Sequence, residues 1–355
     1  MTGMAHAGGE PAVGGPTAEE PTVDEPTVGE SARTDAQPAS APSNRPQRVP
    51  WPAVAAFVVI SFGLAWLAVL PLWMNGGLRN PLAGILLPVM MFTPLIAALL
   101  VVFFVQKPRP HRIPEYLGLW PLRPVWRVVG LSLAGLFGSV LLVFAGVFLA
   151  AALGIVRLDL VHFSGFAALI DEQLAAQGAG SLPLPIGVLV LVQLAAIPVG
   201  AIVNGFVTVG EELGWRGWLL PSLRPLGTWP ALVVTGVIWG LWHSPVILLG
   251  YNFGQPDLLG VALMVGGCTL YGILIGWLRL RSGSVWPAVF AHGAYNAAAG
   301  AAVLLTAAGS TAPASALNPL GWVTWIVMAL VILVLALSGQ FAKQPALERR
   351  TRRTS

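Results

Sequence analysis

From Trp51 to about Gln340 the chain alternates long apolar runs with short polar breaks. Eight runs, at roughly 51–73, 82–105, 126–153, 186–212, 230–250, 258–279, 286–307 and 320–340, each reach the length that a helix needs to cross a bilayer. That length is about 20 residues for a hydrocarbon core of about 30 Å. The pattern predicts an all-α polytopic membrane protein of about eight transmembrane helices. Two places are less regular. The run 186–220 is too long for one perpendicular crossing, and Pro198 and Gly200 are expected to kink or break it. The segment 158–177 carries Phe163, Phe166, Leu169 and Leu174 among polar residues and reads as a short amphipathic helix on the membrane surface.

Residues 1–49 differ in kind. They are rich in Pro, Ala, Thr, Ser and Glu, with a near-repeat at Pro16–Glu20, Pro21–Glu25 and Pro26–Glu30. Such a composition buries little apolar surface, so this tail is expected to be disordered. The organisation is therefore a tail at 1–49, a membrane domain at 50–340 with its densest polar motifs at 186–300, and a basic tail at 341–355.

Composition agrees with the pattern. The chain is 56% hydrophobic and 10% charged, against about 25% charged in soluble domains. The net charge of +4 does not point to nucleic acid, because the basic residues lie in short loops and tails without interleaved aromatics. Arg45, Arg48, Lys107, Arg109, Arg112, Arg123, Arg127, Arg224, Arg279, Arg281 and the tail residues Lys343, Arg349, Arg350, Arg352 and Arg353 all fall on one side of an eight-span topology. The other side holds Arg79, Arg157, Asp159, Asp171, Glu172 and Asp257. Basic loops stay in the cytoplasm, which predicts a multi-pass plasma-membrane protein with both termini cytoplasmic. Cys268 is the single cysteine, so there is no intramolecular disulfide and no multi-cysteine zinc site.

The ionisable residues left inside the apolar runs are Glu211, Glu212, Arg216, His243 and His292. Intramembrane charge costs a few kcal/mol unless paired or hydrated, so these positions are candidate functional residues. Glu212 and Arg216 are one turn apart and can pair. Glu211 points about 100° away, free to face a cavity and act as a general base or acid. Trp239 and His243 are also four apart, with Pro245 close behind to free a backbone carbonyl. His292 and Asn296 share a helix face and can hold a water, a metal or a developing oxyanion. Each pair taken alone fits a structural role, as an ion pair, a satisfied core histidine or interhelical glue. His111 and His162 read as solvated loop residues, and Trp215, Trp218, Trp239 and Trp242 as interfacial belt and packing.

The three pairs in order, Glu211-Glu212-x-x-x-Arg216, Trp239-x-x-x-His243 and His292-x-x-x-Asn296, resemble the CAAX-protease and bacteriocin-processing (Abi) family of intramembrane proteases, which includes the type II CAAX prenyl endopeptidases. Trp239 stands where that family usually has Phe. The resemblance implies an endopeptidase in which Glu211 and His243 activate a water, His292 and Asn296 stabilise the oxyanion, and Glu212, Arg216 and Trp239 support them. It also admits a metal version with Glu211, His243 and His292 around zinc. Asn296, a poor zinc ligand and a good donor, favours the glutamate version. Two lysines against seventeen arginines suggest a high-GC bacterium. The expected substrate is therefore a membrane-associated peptide or protein rather than a prenylated CAAX protein. The rival readings are a non-catalytic binding or bacteriocin-immunity protein and a transporter. Glu211 lies toward the basic side of its span, so the pocket is expected to open to the cytoplasm.

Overall fold

The structure is a computed structural model and describes residues 48–108, 112–180 and 184–342. The expected tails at 1–49 and 341–355 lie outside the described residues, apart from 48–49 and 341–342, as do Arg109 and His111. Among the described residues the chain is helical without strands, and a single isolated bridge joins Leu158 to Thr306.

The apolar runs form the expected helices. They are α1 (Trp51–Met74), α2 (Ala83–Met91), α3 (Thr93–Leu100, continued as a π-helical stretch to Gln106), α4 (Ile113–Tyr116), α5 (Val125–Ala152), α6 (Ser164–Ala176) and α7 (Ile186–Glu212). After a π-helical stretch at Leu213–Leu219 come α8 (Leu220–Leu223), α9 (Thr228–Trp242), α10 (Ser244–Ile247), α11 (Leu258–Ser282), α12 (Trp286–Ala298), α13 (Ala301–Leu305), α14 (Ala314–Leu317) and α15 (Trp322–Leu337). Side chains such as Val59, Leu141, Phe206 and Val334 lie exposed on the outer faces. That is the surface a bilayer would cover.

Seven helical stretches among the described residues are long and apolar enough to span a membrane, one fewer than the sequence suggests. The exception is the fifth run. It ends as a 15-residue helix at Trp242 and resumes for one turn as α10. Pro245 cannot donate to the carbonyl of Leu241, which instead accepts a hydrogen bond from the Ser244 hydroxyl. The chain still travels from one end of the bundle to the other here. Trp229 packs on Phe341 with ring centroids 4.4 Å apart, whereas Trp73, near the far end of α1, donates from Nε1 to Pro245 O at 2.8 Å.

Other contacts define the two ends. At the first end, Val285 donates from its backbone N to Gly118 O at 3.0 Å, Trp286 Nε1 to Leu119 O at 3.2 Å, and Arg279 Nε to Arg216 O at 3.0 Å. The described arginines 48, 112, 123, 127, 224, 279 and 281 belong to segments at this end. At the second end, Asp159 donates from its backbone N to Leu305 O at 2.9 Å, and Asn318 Nδ2 donates to Asn252 O at 3.1 Å.

The core packs α12 against α7 and α5, and α11 against α9. Within the run 186–226, α7 is continuous through Pro198. The departure from α geometry falls instead at Leu213–Leu219, directly after the paired glutamates. Two glycines let the start of α3 approach there. A Cβ on Gly210 would meet Met91 O at 2.7 Å, and one on Gly214 would meet Pro94 atoms at 2.4–2.8 Å. The segment read as a surface amphipathic helix is α6, which inserts Phe166 into a cluster with Val147, Val190 and Leu305.

Candidate active site

The five ionisable residues singled out in the apolar runs come together. Glu211 and Glu212 end α7, Arg216 lies in the π-helical stretch, His243 marks the α9–α10 break, and His292 lies on α12. Glu211, Glu212, Arg216 and His292 are at most 5% exposed, and His243 and Asn296 are half-buried.

The two glutamates have different partners. Glu212 Oε1 accepts from Arg216 Nη1 at 2.9 Å and from His292 Nδ1 at 2.9 Å. Glu211 Oε2 accepts from Trp239 Nε1 at 2.6 Å. One carboxylate is thus tied to an arginine and a histidine, as a charge inside an apolar bundle requires. The other is held by one neutral donor and borders open space.

Trp239 links the groups. Its indole N–H bonds Glu211, and its ring lies 4.3 Å from the Arg216 guanidinium carbon. Its ring meets that of His292 edge-on, with centroids 5.3 Å apart. Its carbonyl bonds His243 Nδ1 at 2.9 Å. A carbonyl and a carboxylate only accept, so both histidines carry hydrogen on Nδ1, and in the neutral ring each leaves an Nε2 lone pair. The four tryptophans read as interfacial belt and packing are at most 2% exposed, so packing is the role they take. They form interior packing, with Trp215 and Trp218 around Phe57 and Trp242 Nε1 bonded to Thr93 Oγ1 at 3.1 Å.

A cavity of about 440 Å³ is lined by Glu211, Trp239, His243, His292 and Asn296 together. Glu212 and Arg216 are absent from its lining and sit behind it. Asn204, Tyr251, Asn252, Tyr271 and Asn318 also face it, and the sequence reading missed all five. Of these, only Asn204 left a usable signal: it precedes Glu211 by seven residues, two turns along the same face. The cavity does not open at the arginine-bearing end, as the depth of Glu211 had suggested. It leads to the second end, past Ala83, Gly84, Tyr251, Asn252, Asn318 and Pro319. Below Glu211 the way is filled by Trp215, Trp218 and Leu219, all buried.

The metal version fares differently from the acid–base one. Among the described residues no three His, Cys, Asp or Glu side chains are gathered so as to hold a metal ion. Glu211, His243 and His292 share a cavity without forming that tripod. Each ring has Nδ1 engaged, His292 by Glu212 and His243 by Trp239 O, so Nε2 is the atom either could offer to a metal.

The motif resemblance is found independently in comparisons with known proteins. Residues 190–298 match the family model described as type II CAAX prenyl endopeptidase Rce1-like. The chain is also similar to CAAX prenyl protease 2 of Methanococcus maripaludis, with 31% identity over 78 residues. That stretch is 20% of this chain and spans 28% of the archaeal protein.

Proposed function

We propose that this protein is an intramembrane endopeptidase, multi-pass in the plasma membrane with both termini cytoplasmic, that cleaves a membrane-associated peptide or protein. The observation that carries the reading is the shared lining: Glu211, His243, His292 and Asn296, from three separate parts of the fold, border one cavity. The match at 190–298, the region holding all three motifs, supports the same chemistry.

The roles follow from the donors and acceptors. A water between Glu211 and His243 Nε2 loses a proton to Glu211 as its oxygen attacks the peptide carbonyl carbon. The carbonyl oxygen becomes an oxyanion placed against Asn296 Nδ2–H and the His292 imidazole, the two groups assigned to stabilise it. Glu212 lies against His292 Nδ1 and orients that ring, with Arg216 balancing the Glu212 carboxylate. Glu211 then returns its proton to the leaving amine, and the C–N bond breaks. Trp239 aims Glu211 through its indole N–H. No step is routed through a metal.

The test is cleavage of pooled apolar, membrane-inserting peptides by the reconstituted protein, read by mass spectrometry. Wild type is expected to yield defined products that Glu211→Ala, folded to the same melting temperature, does not. A non-catalytic immunity or binding protein would show the same peptides bound and intact in both.

A further inference from the structure

The direction of the cavity says more than its lining. Its floor is Glu211, Trp239 and His292, and its far rim is Ala83, Gly84, Tyr251, Asn252, Asn318 and Pro319. Each rim residue belongs to the end of the bundle opposite the arginine-bearing segments. No residue of 112–124, 224–228 or 279–286 lines the cavity. Between the floor and the arginine-bearing end, the π-helical stretch is buried throughout, and Arg279 Nε bonds Arg216 O across it. The site is therefore closed at one end and reached from the other.

Arginine-rich loops are retained in the cytoplasm. We infer that the site is reached from the non-cytoplasmic face, so that its substrate is a peptide segment presented at the outer surface of the membrane. The rim chemistry narrows the class. Tyr251 and Asn252 are neutral donors and acceptors, suited to the backbone of an extended chain. The walls Leu87, Met90, Met91, Val246 and Met264 are apolar, suited to apolar side chains beside the scissile bond. Among the described residues no acidic or basic side chain other than Glu211 and the two histidines borders the cavity, so a charged residue at the cleaved bond would be left unpaired. The preferred substrate is an uncharged, apolar segment exposed on the outer leaflet.

The word substrate rests on the protease reading, but access can be tested without cleavage. Leu258, 81% exposed at the start of α11, marks the rim end, and Arg48 marks the other. Leu258→Cys and Arg48→Cys are expressed in cells and treated with a membrane-impermeant maleimide. The native Cys268 is fully buried and serves as the unlabelled background. Leu258→Cys is expected to be labelled in intact cells, and Arg48→Cys only after permeabilisation. The reverse pattern overturns the inference, because the cavity would then face the cytoplasm. In a second arm, Tyr251→Cys is labelled at the rim with a bulky maleimide after reconstitution. Loss of cleavage on labelling supports this route to Glu211, and cleavage that persists in fully labelled protein refutes it. If wild type cleaves nothing, the protease reading fails while the sidedness result still stands.

Discussion

Replacing Trp239 with Phe removes one hydrogen bond and little else. The indole N–H reaches Glu211 Oε2 at 2.6 Å and is, among the described residues, the one hydrogen bond on that carboxylate. Phe keeps a ring against the Arg216 guanidinium, now 4.3 Å from the Trp239 centroid, and an edge toward His292. A hydrogen bond to a charged group contributes about 1.5–3 kcal/mol. If that bond fixes the carboxylate for attack, losing it lowers kcat by about 10- to 100-fold at a tenfold change per 1.36 kcal/mol. KM should change little, because the cavity walls stay in place. The assay is steady-state cleavage by purified Trp239→Phe, with Trp239→Leu as a second variant that also removes the ring over Arg216. Trp239→Leu should lose more thermal stability than Trp239→Phe, while both lose kcat. The resembled family usually carries Phe at this position, so the N–H is a departure from that pattern. A Trp239→Phe enzyme within twofold of wild type in kcat would refute the idea that the indole aims Glu211.

Other consequences follow from the same contacts. Glu211→Gln should abolish cleavage at near-native stability, whereas Glu212→Gln, which weakens bonds to both Arg216 and His292, should cost more in melting temperature. Arg216→Leu strands a buried carboxylate and should destabilise by about 3–5 kcal/mol. The paired change Glu212→Leu with Arg216→Leu should cost less than the two single changes summed, read as a double-mutant cycle by thermal melts. Gly214→Ala would press a Cβ to 2.4 Å from Pro94 and should cost about 1–3 kcal/mol by the same measurement. In the 159–164 loop, the His162 backbone N–H, then the Ser164 side chain, hold the Asp159 carboxyl at about 2 against an ordinary 3.8. A lowered carboxyl stabilises above its ordinary value and loses that contribution as pH falls from 3.8 toward about 2. Amide exchange in α6 should therefore accelerate over that window in wild type and show no such step in Asp159→Asn.

The helical runs and the candidate site were legible for one physical reason. Charge inside apolar sequence is costly, so Glu211, Glu212, Arg216, His243 and His292 stood out without any structure. The Glu212–Arg216 pair followed from spacing alone and forms at 2.9 Å. Neutral polar residues carry no such contrast, and Tyr251, Asn252, Tyr271 and Asn318 passed unnoticed because only packing brings them to the cavity. The break of α9 at His243 was signalled by Pro245, whereas α7 continues through Pro198 and winds to π geometry where Gly210 and Gly214 admit α3. That crossing depends on a partner helix more than a hundred residues away in sequence. The direction of the cavity was misread for a related cause. Depth along one helix locates a residue, but which end stays open depends on how the neighbouring helices fill the space below Glu211. Of the two roles read for the tryptophans, belt and packing, their burial around Phe57 and Thr93 leaves packing.

The central claim is that Glu211 activates water in a membrane-embedded peptidase. The direct measurement is the cleavage rate of purified protein with an apolar peptide, for wild type and a folded Glu211→Gln, each with and without a strong chelator. General-base assistance contributes about 10²–10⁴-fold, so Glu211→Gln should lose at least that much while chelation leaves the wild-type rate unchanged. A folded Glu211→Gln that cleaves at the wild-type rate, or a wild-type activity that chelation abolishes and added metal restores, would contradict the account.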